Sequence, residues 1–326
     1  MFKTLASCTL ISTSLALATW TGTAAAAYPD RPVTLVVSSS AGGPLDILGR
    51  LIATEAGKSL KQTIIVENKA GASGTIAAEG VSRSKPDGYT LLLTLDTVAT
   101  VNPSIYTKNP FNANKDLTPI SFLGSFNQVL IAPKQLGVSN LKDFAAATKK
   151  RTLNYASAGV GSPGHLTMEA FKLATHLPLS HIPYKGNPAA VNDLLGGQVD
   201  AGFLVIAGVL PHIQQGNFIP LAVSGAARNP LLPNVPTLAE SGIKELANFD
   251  VRFGYLVYAP KNTPAAIIDQ WNGLLHDVMR RPDVIEKFKL LDIQSAFGSP
   301  GDARDWVSSN SKKWAEVIKT ANISTD

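Results

Sequence analysis

From Tyr28 onward the chain alternates short β-branched runs with longer amphipathic ones, and this rhythm constrains the fold more than any other feature. Val33 to Ser38 reads as a strand, Pro44 to Leu60 as a helix with Ile47, Leu48, Leu51 and Ile52 on one face, and Thr63 to Glu67 as a strand. Thr75 to Arg83 follows as a helix and Tyr89 to Leu95 as a strand. The order βαβαβ calls for a parallel sheet covered by helices, because each helix must carry the chain back before the next strand can run the same way.

The alternation restarts after Gly124. Val129 to Ala132, Leu153 to Ala156, Leu179 to Pro183 and Asp200 to Leu204 read as strands, separated by helices at Leu141 to Lys150, His165 to Thr175 and Ala189 to Leu195. Two such units imply two lobes. Beyond the loop prolines Pro230, Pro233 and Pro236 come a strand-like run, Phe249 to Tyr258, and helical stretches at Pro264 to Met279, Val284 to Leu290 and Ala303 to Ile318. These helices bring no new set of strands and are expected to return to the first lobe. The division expected is 28–126 with 252–326 as lobe 1 and 127–251 as lobe 2, hinged where the chain crosses near Ser125 to Gln128 and Asp250 to Phe253.

Residues 1–27 have a different character. Lys3 is their only charge, an apolar stretch runs through Leu10-Ile11 and Leu15 to Ala18, and Ala24 to Ala27 precede Tyr28. That is the order of a secretory signal peptide, cleaved near Ala26 to Tyr28, and it predicts export to the periplasm. Cys8, the one cysteine, precedes the apolar segment instead of following it, which argues against a lipid anchor. The mature chain then has no cysteine for disulfides, thiolate metal sites or nucleophiles. No later apolar run reaches the ~20 residues of a membrane helix. With Lys3 gone from the 29 Lys+Arg, 28 basic residues face 24 acidic ones. This mild excess, without a basic block beyond Lys149-Lys150-Arg151, argues against nucleic acid as a partner and suits the attraction of anionic solutes.

Two glycine-rich strand-to-helix loops stand out. Ser38-Ser39-Ser40-Ala41-Gly42-Gly43-Pro44-Leu45-Asp46 leaves little side-chain bulk where a helix begins, so successive N–H groups can converge on a phosphate, a dinucleotide or a carboxylate. Gly159-Val160-Gly161-Ser162-Pro163-Gly164 satisfies GxGxxG. However, the acid that would hold a ribose about twenty residues on is replaced by His181-Ile182-Pro183-Tyr184-Lys185. No nicotinamide or other cofactor is expected. Gly57-Lys58-Ser59 lacks the upstream glycine of a P-loop, and Val160 stands where a nucleophile elbow around Ser162 needs glycine. The histidines at 165, 176, 181, 212 and 276 form no metal-binding pattern. Two residues keep two readings each. His165 can meet a ligand or cap its own helix, and Asp46 can belong to the site or cap free N–H groups and fix the loop.

Taken together, Tyr28-Pro29-Asp30-Arg31-Pro32-Val33, Gly42-Gly43-x-x-Asp46, Val66 to Gly74 (VENKAGASG), Pro86 to Leu91 (PDGYTL), Asn154-Tyr155-Ala156-Ser157, His181 to Gly186 (HIPYKG) and Asp193 to Asp200 (DLLGGQVD) resemble the Bug family. Its members are extracytoplasmic solute receptors of tripartite tricarboxylate transporters, and the resemblance spans essentially the whole mature chain in order. It implies an α/β, two-lobed periplasmic-binding-protein fold of type II, each lobe a mainly parallel sheet flanked by helices. It also implies a carboxylate gripped between the lobes by loops from both, a membrane permease as partner, and a monomer without enzymatic activity. The ligand-binding residues expected are Ser39, Ser40, Ala41, Gly42, Gly43 and Asp46 in the first loop, Asp96 and Thr97 after the third strand, and Ser157, Gly161, Ser162 and His165 in the second loop. Tyr184, Lys185 and Gly186, with Leu204 and Arg252, complete the set. Three departures set it apart from the family's habit: hydroxyls at Ser38 to Ser40 replace an aromatic wall, apolar Leu204 disfavours an α-amino acid, and Arg252 stands where tryptophan is common and could read a second acidic group. The alternatives are an exported sensor that binds a carboxylate without transporting it, and an enzyme that uses the cleft for chemistry.

Overall fold

The computed structural model describes residues 28–106, 108 and 111–325, so the expected signal peptide, residues 1–27, lies outside the described residues. The first unit runs β1 (Val33–Val37), α1 (Pro44–Leu60), β2 (Ile64–Asn68), α2 (Thr75–Ser82) and β3 (Thr90–Leu95). Three single-turn helices follow, α3 (Thr97–Thr100), α4 (Asn102–Ile105) and α5 (Ala113–Asp116), and then the long β4 (Leu117–Phe126). The second unit comprises β5 (Gln128–Pro133), α6 (Leu141–Lys150), β6 (Leu153–Ser157), α7 (Pro163–Thr175), β7 (Leu179–Pro183), α8 (Asn187–Leu195), β8 (Ala201–Val205), α9 (Ile206–Gln214) and β9 (Phe218–Val223). The chain closes with β10 (Phe253–Pro260), α10 (Ala265–Met279), α11 (Pro282–Leu290), β11 (Gln294–Gly298) and α12 (Pro300–Thr320).

The elements assemble into a six-stranded sheet, β11-β4-β10-β3-β1-β2, and a five-stranded sheet, β7-β6-β8-β5-β9. Helical crossovers make β1 parallel to β2 and β3, and β6 parallel to β7 and β8. The strands that arrive through the crossings run the other way. β10 is antiparallel to β3 and β4, β11 to β4, and β5 to β8 and β9. Both sheets are therefore mixed, where the repeating pattern alone predicted mainly parallel ones, because a strand that changes sheet need not follow the crossover rule.

The final helices return to the first sheet. Trp271, Leu275 and Trp314 join Val33, Leu35, Leu48 and Ile52 in one apolar cluster, whereas Phe144, Tyr155, Phe171 and Phe203 centre the core of the second lobe. β4 escaped the sequence pattern because it carries Pro119, Gly124 and two serines, and Gly124 reads as a boundary. Its φ of +146° and the Gln294 carbonyl, 2.5 Å from where a β-carbon would stand, show instead a close approach by β11. No described helix is long and apolar enough to cross a membrane.

β10 is held from behind by α12, where the fully buried Trp314 stacks on Phe253 at 5.1 Å between ring centroids and 9° between planes. Trp314→Ala empties that space beside the crossing and is expected to cost about 3–5 kcal/mol. Urea denaturation reads the loss as a lower midpoint at unchanged slope, and an unmoved midpoint contradicts the packing role.

Candidate ligand-binding cleft

At the carboxyl ends of β1, β2, β6 and β7 the chain turns into α1, α2, α7 and α8, so four helix N-termini face one cleft from both sheets. The cleft holds about 770 Å³. A helix N-terminus presents N–H groups without carbonyl partners together with the positive end of its dipole, and an open α/β sheet gathers such ends at one edge. Among the described residues that line the cleft, Lys185 is the one charged side chain and no carboxylate is present.

The first loop is built from within. Asp46, almost fully buried, accepts the Gly42 N–H (2.9 Å) and Arg50 Nε (3.0 Å) on Oδ2, and Asn68 Nδ2 (2.9 Å) on Oδ1. Burial pushes its carboxyl up, but Arg50, the Gly42 amide and Asn68 outweigh burial and hold it below the ordinary range. Asn68 Nδ2 also reaches the Ser39 carbonyl at 3.1 Å. Of the two readings of Asp46, the structure supports the loop-fixing one. The expectation that the Gly42 amide points at a ligand is corrected by the same bond, and Ala41, Gly42 and Asp46 stand outside the lining. Ser39, Ser40 and Gly43 line the cleft, and the N–H groups of Gly43 and Leu45 flank Pro44 at the start of α1, ahead of any helical carbonyl.

The second loop rests on a pair of imidazoles. His165 Nδ1 accepts the Gly161 N–H (3.1 Å), the His165 ring stacks on His181 (3.9 Å), and His181 Nε2 meets Ser157 Oγ at 2.6 Å. Ser157 Oγ in turn accepts the Gly159 N–H and donates to the Gly159 carbonyl. Burial, reinforced by Lys172, pulls His165 down to about 4. Burial and the neighbouring His165 bring His181 to about 3, so both rings are neutral at ordinary pH. His165 thus takes its capping reading. Ser157 and His181 have the composition of a nucleophile and a base, but Ser157 is fully buried and engaged with Gly159. Ser157, Gly161 and His165 set the loop from behind, while Ala158, Gly159, Val160 and Ser162 line the cleft. Ser162, at the N-cap of α7 and 5% exposed, has a buried Oγ with no partner.

Tyr184, Lys185 and Gly186 line the cleft at the entry to α8. The Tyr184 hydroxyl donates to Asp193 at 2.7 Å, and burial with that carboxylate pushes it up to about 12. Lys185 forms no ion pair among the described residues. Thr97 lines the cleft, but Asp96 does not. Asp96 is fully buried, accepts Trp306 Nε1 at 2.6 Å and leaves Oδ1 unpartnered, and burial raises its carboxyl to about 7.

Two further expectations are corrected. Leu204 packs on Val129 and Val191 on the far face of β8, and its neighbour Val205 lines the cleft, as the two-residue period of a strand requires. Arg252 pairs with Asp250 at 3.2 Å and borders a separate pocket of about 520 Å³ with Trp306 and Lys313. Reading the sequence missed Ser73, Gln128 and Tyr255, all lining the cleft, together with the scaffolding pair Arg50 and Asn68. Asn68 and Ser73 lie inside VENKAGASG, which the resemblance marked without giving them roles.

Two mixed α/β lobes around a cleft of converging helix N-termini define a periplasmic-type solute-binding protein. The model of the tripartite tricarboxylate transporter family receptor matches residues 48–323, and the chain belongs to that family. It is 34% identical over 295 residues to protein BugT of Bordetella pertussis, covering 90% of each. The structure of the periplasmic binding protein BugD is similar at a TM-score of 0.83 and 34% identity, covering 91% of this chain and 99% of that one. R. palustris Rpa4515 with adipate is similar at 0.86 and 31%, with the same coverage.

Asp96 carries a pH signature. Its folded value of about 7 stands above the ordinary 3.8, so between about pH 4 and 7 the native state keeps a proton that the unfolded chain has released. Stability therefore falls as pH rises through that window, by up to roughly 4 kcal/mol. Asp96→Asn, which stays neutral and still accepts from Trp306, is expected to gain on the wild type at pH 8 and hardly at pH 5. Guanidinium midpoints at the two pH values check this. An equal difference at both would place the titration elsewhere.

Proposed function

We propose that this receptor is exported, captures a small organic carboxylate between its lobes and presents it to the membrane permease of a tripartite transporter without altering it. The observation that carries the reading is the Ser162 hydroxyl, buried and unpartnered at the start of α7 on the wall of a cleft where, among the described lining residues, Lys185 is the only charged side chain. A carboxylate supplies what that hydroxyl and the neighbouring helix amides lack. The missing acid in the lining removes the counter-charge an ammonium needs, which favours an acid without an α-amino group. Adipate, bound by the Rpa4515 relative, is the first ligand to try.

The lobe division 28–126 with 252–326 and 127–251 follows the two sheets, and residues 1–27 serve as the leader. The receptor acts as a monomer. Its modest net charge, with no basic block beyond Lys149-Lys150-Arg151, argues against nucleic acid as a partner.

Calorimetry with adipate, benzoate and adipamide tests the reading. At least one acid is expected to bind while the diamide does not. Ser162→Ala is expected to weaken that acid by about 2 kcal/mol, the worth of a hydrogen bond to a charged group. Equal binding of acid and amide, or an affinity indifferent to Ser162, would sink it.

A further inference from the structure

At the rim of the cleft one lobe bonds to the binding loop of the other. Ser73 Oγ, on the turn between β2 and α2, donates to the Val160 carbonyl at 2.5 Å. Val160 sits in the loop from Ser157 to Ser162, whose other tethers, among them Gly161 to His165, Gly159 to Ser157 and Tyr184 to Ser157, belong to its own lobe. The approach is close. A β-carbon on Gly161 would stand 2.4 Å from Ile105 Cδ1 and 3.6 Å from Ser73 Oγ, and the backbone there has φ +74°, so a side chain at 161 would crowd the lobe 1 face and strain the loop.

We propose that Ser73 is a positioning residue for capture: reaching from lobe 1, it completes the setting of the lobe 2 loop, which takes its ligand-holding form when the lobes are closed. The proposal rests on reading the cleft as the binding site, but the contact itself involves no ligand atom. Ala72 and Ser73 are consecutive non-glycine residues in the left-handed region, at φ +45° and +48°. Such backbone persists only where its surroundings over-determine it, and here Asn102 Nδ2 bonds the Ser73 carbonyl (3.1 Å) and Thr75 Oγ1 (2.8 Å). The strained turn aims one hydroxyl across the cleft at the Val160 carbonyl. Val160 and Ser162 both face the cleft, so the carbonyl that Ser73 holds is two residues from the orphaned hydroxyl at the start of α7. Opening the lobes removes this tether and leaves those internal to lobe 2.

Two variants separate the hydroxyl from the strain. Ser73→Ala deletes the donor, and Ser73→Gly deletes it while relieving the left-handed backbone. Since residues 28–326 contain no cysteine, spin labels on Lys85→Cys and Lys149→Cys, one per lobe and both exposed, report lobe separation by double electron–electron resonance. Both variants are expected to lower the closed-to-open ratio roughly three- to tenfold, as one net hydrogen bond would. Added adipate is expected to dissociate faster by the same factor, with association unchanged. A wild-type protein with no closed population, or a closed population that both variants retain, overturns the proposal. A Ser73-dependent closed state in protein that binds no acid supports the contact and refutes the carboxylate reading instead.

Discussion

A single buried serine joins the two places where the chain changes lobes. Ser224 Oγ accepts the N–H of Gln128, which opens β5, and donates to the carbonyl of Val251, which precedes β10. Its backbone N–H and carbonyl bond the same two residues, at 2.8 Å each. One residue, Asn127, separates β4 from β5, so the first crossing has almost no slack of its own. The second is tied to it through Ser224. The lobes are therefore referred to one local structure, and everything that depends on their relative placement, including the cleft and the contact at its rim, inherits its precision from that bond set. Gln128 extends the link into the site: its side chain accepts from Thr167 on α7 and donates to the Phe203 carbonyl, and it lines the cleft floor.

The cleft attracts anions through placement more than through net charge. Four helix N-termini supply partial positive charge fixed to the backbone, and Lys185 adds one ammonium. Fixed dipoles cost nothing to orient when a ligand arrives, whereas a ring of lysines would repel itself and lose side-chain entropy. The price is that the loops must be held by other groups. Asp46 with Asn68 and Arg50 does this on one side, and the neutral histidine pair with Ser157 does it on the other. Asp46 and His165, which from the sequence could equally have met a ligand, are occupied in keeping N–H groups aimed.

That division explains how much could be read from the residues alone. Repeating apolar periods gave both βαβ units and the bounds of α1, α6 and β7 to the residue, because burial on one face leaves a periodic trace. Glycine and serine at strand-to-helix junctions located the two main loops. What had no trace was the choice between touching the ligand and supporting the residue that does. Asp46 and Ser162 are both small polar residues at helix starts, and only the bonds around them show one occupied and the other unpartnered. Leu204 was misplaced by one residue, which in a strand exchanges one face for the other. Arg252 is close to the crossing in sequence, yet it pairs with Asp250 and borders the separate pocket beside Trp306 and Lys313.

The strained turn at Ala72 and Ser73 bears on the cost of closing. Its tethers, Asn102 to the Ser73 carbonyl and to Thr75, lie within lobe 1, so the strain is imposed whether or not the lobes meet. Closure then forms a bond between parts that are already ordered and does not have to freeze a loop, which would consume about 1–2 kcal/mol per residue. The same holds across the gap, where His165 and Ser157 keep Gly161 and Gly159 in place from below. A receptor that must release its cargo needs a closed state favoured by little in the absence of ligand. Two preorganised rims joined by one neutral hydrogen bond meet that need, because the bond's modest net worth tips the balance without fixing it.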